Sequence, residues 1–164
     1  MADSKANETN VIVPKTVYVG NVPIGGFNPI AIQTMWKKPL STITQDLLDS
    51  LSRLKMLGCS MVRFAVPDEQ TAEQVGILAS KTDLPIIADI HFDYKLALHC
   101  LDYPVSKIRI NPGNIGAPWK VKEVVSKAKD KEVPIRIGVN SGSLPSKYRK
   151  KEPIHSEKEA VFNH

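Results

Sequence analysis

An α/β fold built on one parallel sheet is what this 164-residue chain predicts, and three observations carry that reading. Short runs rich in β-branched residues alternate with segments of helical period, and Gly, Pro, Asn or Asp stand at the boundaries between them. Strands that alternate with helices of roughly 10 to 15 residues make right-handed βαβ crossovers, so the sheet is parallel, either open and doubly wound or closed as a barrel. An apolar fraction of 42% supplies a core, and about five β/α units follow an N-terminal hairpin.

A polar leader, residues 1–16, comes first. TVYVGNVPIGG then alternates around Gly20-Asn21, a pair suited to a two-residue hairpin turn with glycine first. From Pro29 the pattern becomes strand then helix. PIAIQTM is the first strand of the series, and a helix from about Thr44 to Leu57 places Leu47, Leu51 and Leu54 on one face with Gly58 as its stop. MVRFAV, Met61 to Val66, is the next strand. Asp68 is placed to cap a helix through Ala72, Val75 and Leu78, before the strand PIIADIHF from Pro85 to Phe92. Asp93 caps a helix through Leu96 and Leu101. KIRIN, starting at Lys107, is the fourth strand and runs into a Pro112-Gly113 turn; Pro118 opens a helix through Val121, Val124, Val125 and Ala128. PIRIGVN, Pro134 to Asn140, is the fifth.

The tail from Ser141 has little periodicity until SEKEAVF, which reads as the opening of one more helix capped at Ser156. Five strands do not close the usual eight-stranded barrel, so residues 17–164 are expected to be the front part of a longer domain. No stretch approaches the roughly 20 apolar residues of a membrane helix, and MADSKANETN lacks a signal-peptide pattern, so a cytoplasmic location with no membrane partner is expected. Cys59 and Cys100 stand far apart without C-x-x-C spacing and read as small buried hydrophobes, so no metal site is assigned. The net charge of +5 is too diffuse to signal nucleic-acid recognition, and the basic run SKYRKKEP reads as a solvated segment.

Splitting each strand into its two faces gathers the polar residues. Val62, Phe64 and Val66 share one face while Arg63 lies on the other. Ile86, Ala88 and Ile90 oppose Asp89 and His91; Ile108 and Ile110 oppose Arg109 and Asn111; Ile135, Ile137 and Val139 oppose Arg136 and Asn140. Parallel strands are normally apolar on both faces, so polar groups recurring in one register need a ligand or mutual pairing. Three arginines against Asp89 leave a net of about two positive charges, and burying them requires either an anionic partner, for which a diphosphate matches in sign and roughly in size, or acids from a missing part of the chain. Arginine suits phosphate oxygens because its planar fork donates two parallel hydrogen bonds and stays charged. Taken singly, His91 reads as a hydrogen-bonded structural histidine. Asp89 serves either to orient His91 and pair an arginine or to touch ligand directly.

The segments VGNVPIGG, PIAIQTM, MVRFAVP, ADIHFDYKLAL, KIRINPGNIG and PIRIGVNSGSL, in this order, closely resemble the 4-hydroxy-3-methylbut-2-enyl diphosphate synthase family over about Val17 to Leu144. The resemblance implies a TIM barrel of (β/α)8 type followed by a smaller domain carrying a [4Fe–4S] cluster. It also implies an oxidoreductase of isoprenoid precursor biosynthesis (the methylerythritol phosphate pathway), which reductively opens and dehydrates 2-C-methyl-D-erythritol 2,4-cyclodiphosphate. The implied partners are that substrate, ferredoxin or flavodoxin as electron donor, and a second copy in a homodimer. The positions matching the family's barrel-side substrate site are Arg63, His91, Arg109, Asn111, Arg136 and Asn140, with Asp89 behind them. The family's catalytic glutamate and its cluster ligands have no counterpart here, so this chain is expected to supply part of the diphosphate site only and to be inactive alone. QTMWKKPL departs from the family's threonine-rich loop and puts Trp36, Lys37 and Lys38 at the rim with no role assigned. The rival readings are a pteroate-synthase-like phosphate-binding barrel and an inactive fragment or binding module.

Overall fold

The computed structural model describes residues 13–139. A two-stranded antiparallel hairpin, β1 (Val17–Val19) and β2 (Val22–Ile24), precedes a five-stranded sheet. Gly20 turns the hairpin with φ +58°, and a Cβ there would also press on Ser106 Oγ at 3.1 Å, so glycine is required twice over. The larger sheet runs β3 (Gln33–Met35), β4 (Met61–Val66), β5 (Ile86–Ile90), β6 (Lys107–Ile110) and β7 (Ile135–Ile137). Every pairing in it is parallel and the spatial order is the chain order.

That order decides between the two architectures left open by the sequence. A doubly wound sheet reverses its strand order and carries helices on both faces, whereas a barrel steps always in one direction and keeps its helices outside. Helices α1 (Gln45–Met56), α2 (Glu69–Ala79), α3 (Tyr94–Cys100) and α5 (Pro118–Asp130) bury one layer against one face of the sheet. The strand residues in that layer are Val62, Phe64, Val66, Ile86, Ala88, Ile90, Ile108 and Ile110, the apolar register picked out by strand parity. Completely buried members such as Leu51, Phe64 and Ile108 each contribute about 1.5–3 kcal/mol relative to an exposed position. The opposite face has a small cluster of Val19, Met61 and Ile87, where the hairpin lies across the N-terminal ends of β4 and β5. Above it that face turns polar.

The helix boundaries follow their caps. Thr44 Oγ1 accepts from the Leu47 amide at 3.2 Å, Asp68 accepts from Thr71 at 2.7 Å, and Asp93 accepts from Lys95 at 2.9 Å. Hydrogen bonds from the Thr71 amide and hydroxyl hold the Asp68 carboxyl below its ordinary pKa. Gly58, at φ +89°, follows α1.

Four expected elements differ. PIAIQTM pairs only from Gln33, because Pro29 has no N–H to donate and Ile32 engages Ser60 instead, donating to its hydroxyl at 3.0 Å and accepting its amide at 2.7 Å. The Pro112-Gly113 turn is a one-turn helix, α4 (Pro112–Ile115), capped by Asn111. Both expected strands Pro85–Phe92 and Pro134–Asn140 are shorter than their sequence patterns, and the helix expected after Ser156 lies outside the described residues.

Gly76 in α2 is a packing position. A Cβ there would overlap the Tyr103 ring. Alanine in place of a mid-helix glycine is worth about 1 kcal/mol in propensity, but overpacking costs about 1–3 kcal/mol. Gly76→Ala is therefore expected to lower the urea midpoint at unchanged m, and a raised midpoint would show that Tyr103 moves aside freely.

Candidate functional site

The polar face is built by register. Ala65, Asp89, Arg109 and Arg136 stand opposite one another across four adjacent strands; one row nearer the N-terminal ends lie Met35, Arg63, Ile87 and Lys107. Asp89 is the hub of this face and is only 2% exposed. Its Oδ1 accepts from Arg109 Nη1 at 3.2 Å, and its Oδ2 lies 3.3 Å from Arg63 Nε and 3.6 Å from His91 Nε2. One carboxylate thus faces two guanidiniums and an imidazole.

The arginines are held but not saturated. Arg63 Nε is buried and close to Asp89 yet too poorly aligned to form a hydrogen bond, and among the described residues Arg63 Nη2 meets the thioether of Met35, at 3.1 Å. Arg109 Nη2 reaches the Gly138 carbonyl at a long 3.5 Å. Gly138 itself gives the guanidinium room, since a Cβ there would sit 3.0 Å from Arg109 Nε. Arg136 is exposed on β7 and stands directly across from Arg109. Like charges directly opposite on neighbouring strands are destabilising, and here Asp89 faces Arg109 while Arg136 lies exposed.

Lys107 belongs to the same face and was overlooked by the sequence reading, although it lies two residues before Arg109 in one strand and so shares its register. Its side chain is buried. Desolvation first, and then the charges of Arg136 and Arg63, hold its ammonium below the ordinary lysine range. With Lys107 the face carries four cations against the one carboxylate of Asp89.

The other expected residues are placed as follows. His91 follows the C-terminal end of β5 with its side chain 39% exposed, beside Phe92. Asn111 is buried at the end of β6, and its Oδ1 accepts from the Gly113 amide at 3.1 Å, so it shapes the β6–α4 corner. Asn140 lies outside the described residues, as does the basic run near Arg149. Trp36 stacks on Phe64, 5.8 Å between ring centroids, toward the helical layer. Lys37 and Lys38 border a rim cleft of about 560 Å³ with Asp68, Gln70 and Thr71. None of the arginines lines that cleft, and it is its electrostatics that single out the arginine face.

Residues 14–163 match the family model described as the GcpE TIM-barrel domain. The chain is 52% identical to the 4-hydroxy-3-methylbut-2-en-1-yl diphosphate synthase (flavodoxin) of Treponema denticola, over 87% of this chain and 38% of the relative. It is 51% identical to the protein of that name from Treponema pallidum, over 83% of this chain and 34% of the relative. With the one from Geobacter sulfurreducens it shares 50% identity, over 79% and 36%. The chain spans little more than a third of the length of these relatives.

Proposed function

Because the chain belongs to the GcpE TIM-barrel family, we propose that its arginine face binds the diphosphate of 2-C-methyl-D-erythritol 2,4-cyclodiphosphate in a 4-hydroxy-3-methylbut-2-enyl diphosphate synthase. The observation that carries the reading is the row Asp89, Arg109, Arg136 with Arg63 beneath it, in which guanidinium donors outnumber the acceptors available to them. Arg109 keeps Nη1 on Asp89 and turns Nη2 from its long Gly138 contact to a phosphate oxygen. Arg63 exchanges a thioether for a second oxygen. Arg136 gains the counter-charge that its position opposite Arg109 demands. Asp89 holds the two inner forks in place before the ligand arrives, so little orientational freedom is lost on binding. His91, at the strand end, contacts the hydroxyl-bearing part of the ligand, and Asn111 borders the same end; Asn140, outside the described residues, is assigned to the site by strand parity and the family resemblance alone.

The complete protein would carry out the reductive ring opening and dehydration, drawing electrons from a flavodoxin, as named for the relatives, or a ferredoxin, and would act as a homodimer. The described residues do not fit a [4Fe–4S] cluster. Among them no group of three His, Cys, Asp or Glu side chains converges on one point. Cys59 Sγ is engaged with the Met61 carbonyl at 3.2 Å, and burial pushes the Cys100 thiol up to about 12, far from the thiolate a cluster requires. These residues therefore bind and neutralise substrate, and no electron-transfer step is assigned to them. No helix among the described residues is long and apolar enough to cross a membrane.

Calorimetric titration with the cyclic diphosphate tests the reading. Saturable binding that weakens as salt rises is expected. Equal binding by a variant lacking all three arginines, Arg63, Arg109 and Arg136, would send the function elsewhere in the molecule.

A further inference from the structure

We propose that Lys107 holds a single oxyanion, of the carboxylate or phosphate class, in a cleft at the N-terminal end of the sheet, on the arginine-bearing face but two residues nearer the strand start than Arg109. Lys107 opens β6 and is 8% exposed. Its one described contact is from Nζ to the Met61 thioether at 3.8 Å, a weak acceptor for a group with three N–H donors. Among the described residues no carboxylate stands within ion-pair distance of it, and the interior carboxylate nearest in register, Asp89, is already engaged by Arg63, Arg109 and His91. Lys107 lines a cleft of about 340 Å³ together with Gln33, Met61, Gly25 and Asn28.

A buried ammonium without a counter-charge is strongly unfavourable, and here the neighbouring guanidiniums add repulsion. An uncharged ligand would leave that charge uncompensated, and a cation would worsen it. An oxyanion accepts from the three donors at once and offsets the charge. Two sources supply this chemistry: an Asp or Glu side chain from outside residues 13–139 that packs against the sheet, or a free inorganic oxyanion. The proposal concerns the end of the sheet opposite the substrate-facing strand termini, and stands whether or not the diphosphate reading does.

Zero-length carbodiimide cross-linking of the protein, read by peptide mass spectrometry, is paired with thermal unfolding in increasing inorganic phosphate. An isopeptide bond from Lys107 to an Asp or Glu outside residues 13–139 supports the proposal and assigns the side-chain source. A phosphate-dependent rise in midpoint that persists in Lys107→Arg and is lost in Lys107→Met assigns the free ion. Lys107→Gln serves in place of Lys107→Met if the latter does not fold. An isopeptide to Asp89 would overturn the proposal by placing the ammonium in the arginine row. So would absence of any Lys107 cross-link together with a phosphate response that is nil or equally large without the lysine.

Discussion

Asp89→Asn is expected to cost about 3 kcal/mol of stability, the low end of the 3–5 kcal/mol found when one member of a buried charge network is removed. The low end applies because Arg63 and Arg109 retain 22% and 15% of their side-chain exposure, so water screens part of the stranded charge. The substitution keeps the volume of the side chain and removes the charge that faces both guanidiniums. Urea unfolding should show a lower midpoint at unchanged m, and millimolar pyrophosphate should recover part of the loss by filling the vacated electrostatic role. A variant as stable as the parent, with no response to pyrophosphate, would mean that water already neutralises the face.

Arg109→Ala acts on binding before stability. Removing one charge-assisted contact to phosphate is expected to cost about 1.5–3 kcal/mol, which is roughly 10- to 150-fold in Kd. Asp89 keeps Arg63 and His91 as neighbours in the variant, so the fold survives to be titrated. Arg109→Lys restores charge without the planar fork and should fall between the two. Unchanged affinity in a folded Arg109→Ala protein would remove this residue from the site.

Much of this architecture is legible in the residues. The caps Asp68 and Asp93 were readable because a short polar side chain stands just before an apolar period, and each does accept a first-turn amide; Thr44, read only as the approximate start of its helix, caps it in the same way. Strand parity sorted the helix-facing register from the polar one because a parallel strand has only two faces. Barrel rather than doubly wound topology was out of reach of periodicity, since both are βα alternations; it took the order of the strands and the single helical layer to separate them. Lys107 shares the register of Arg109 in one strand, so parity could have found it, but its burial appears only once the sheet is assembled. The Asp89 hub was foreseen only in kind. Its simultaneous reach to Arg63, Arg109 and His91 depends on strand stagger, which no single strand encodes. Likewise Gly138 reads as a strand glycine until the Arg109 guanidinium is seen lying against it.

Arg63, Arg109 and Arg136 as a diphosphate-binding row is the central claim, and a crystal structure of the protein with the cyclic diphosphate bound tests it most directly. The account predicts phosphate oxygens within hydrogen-bond distance of Arg63 and Arg109, Arg136 drawn toward them, and Asp89 still paired with the two inner guanidiniums. A diphosphate seated instead in the rim cleft against Lys37 and Lys38, with the arginines unmoved, would contradict it.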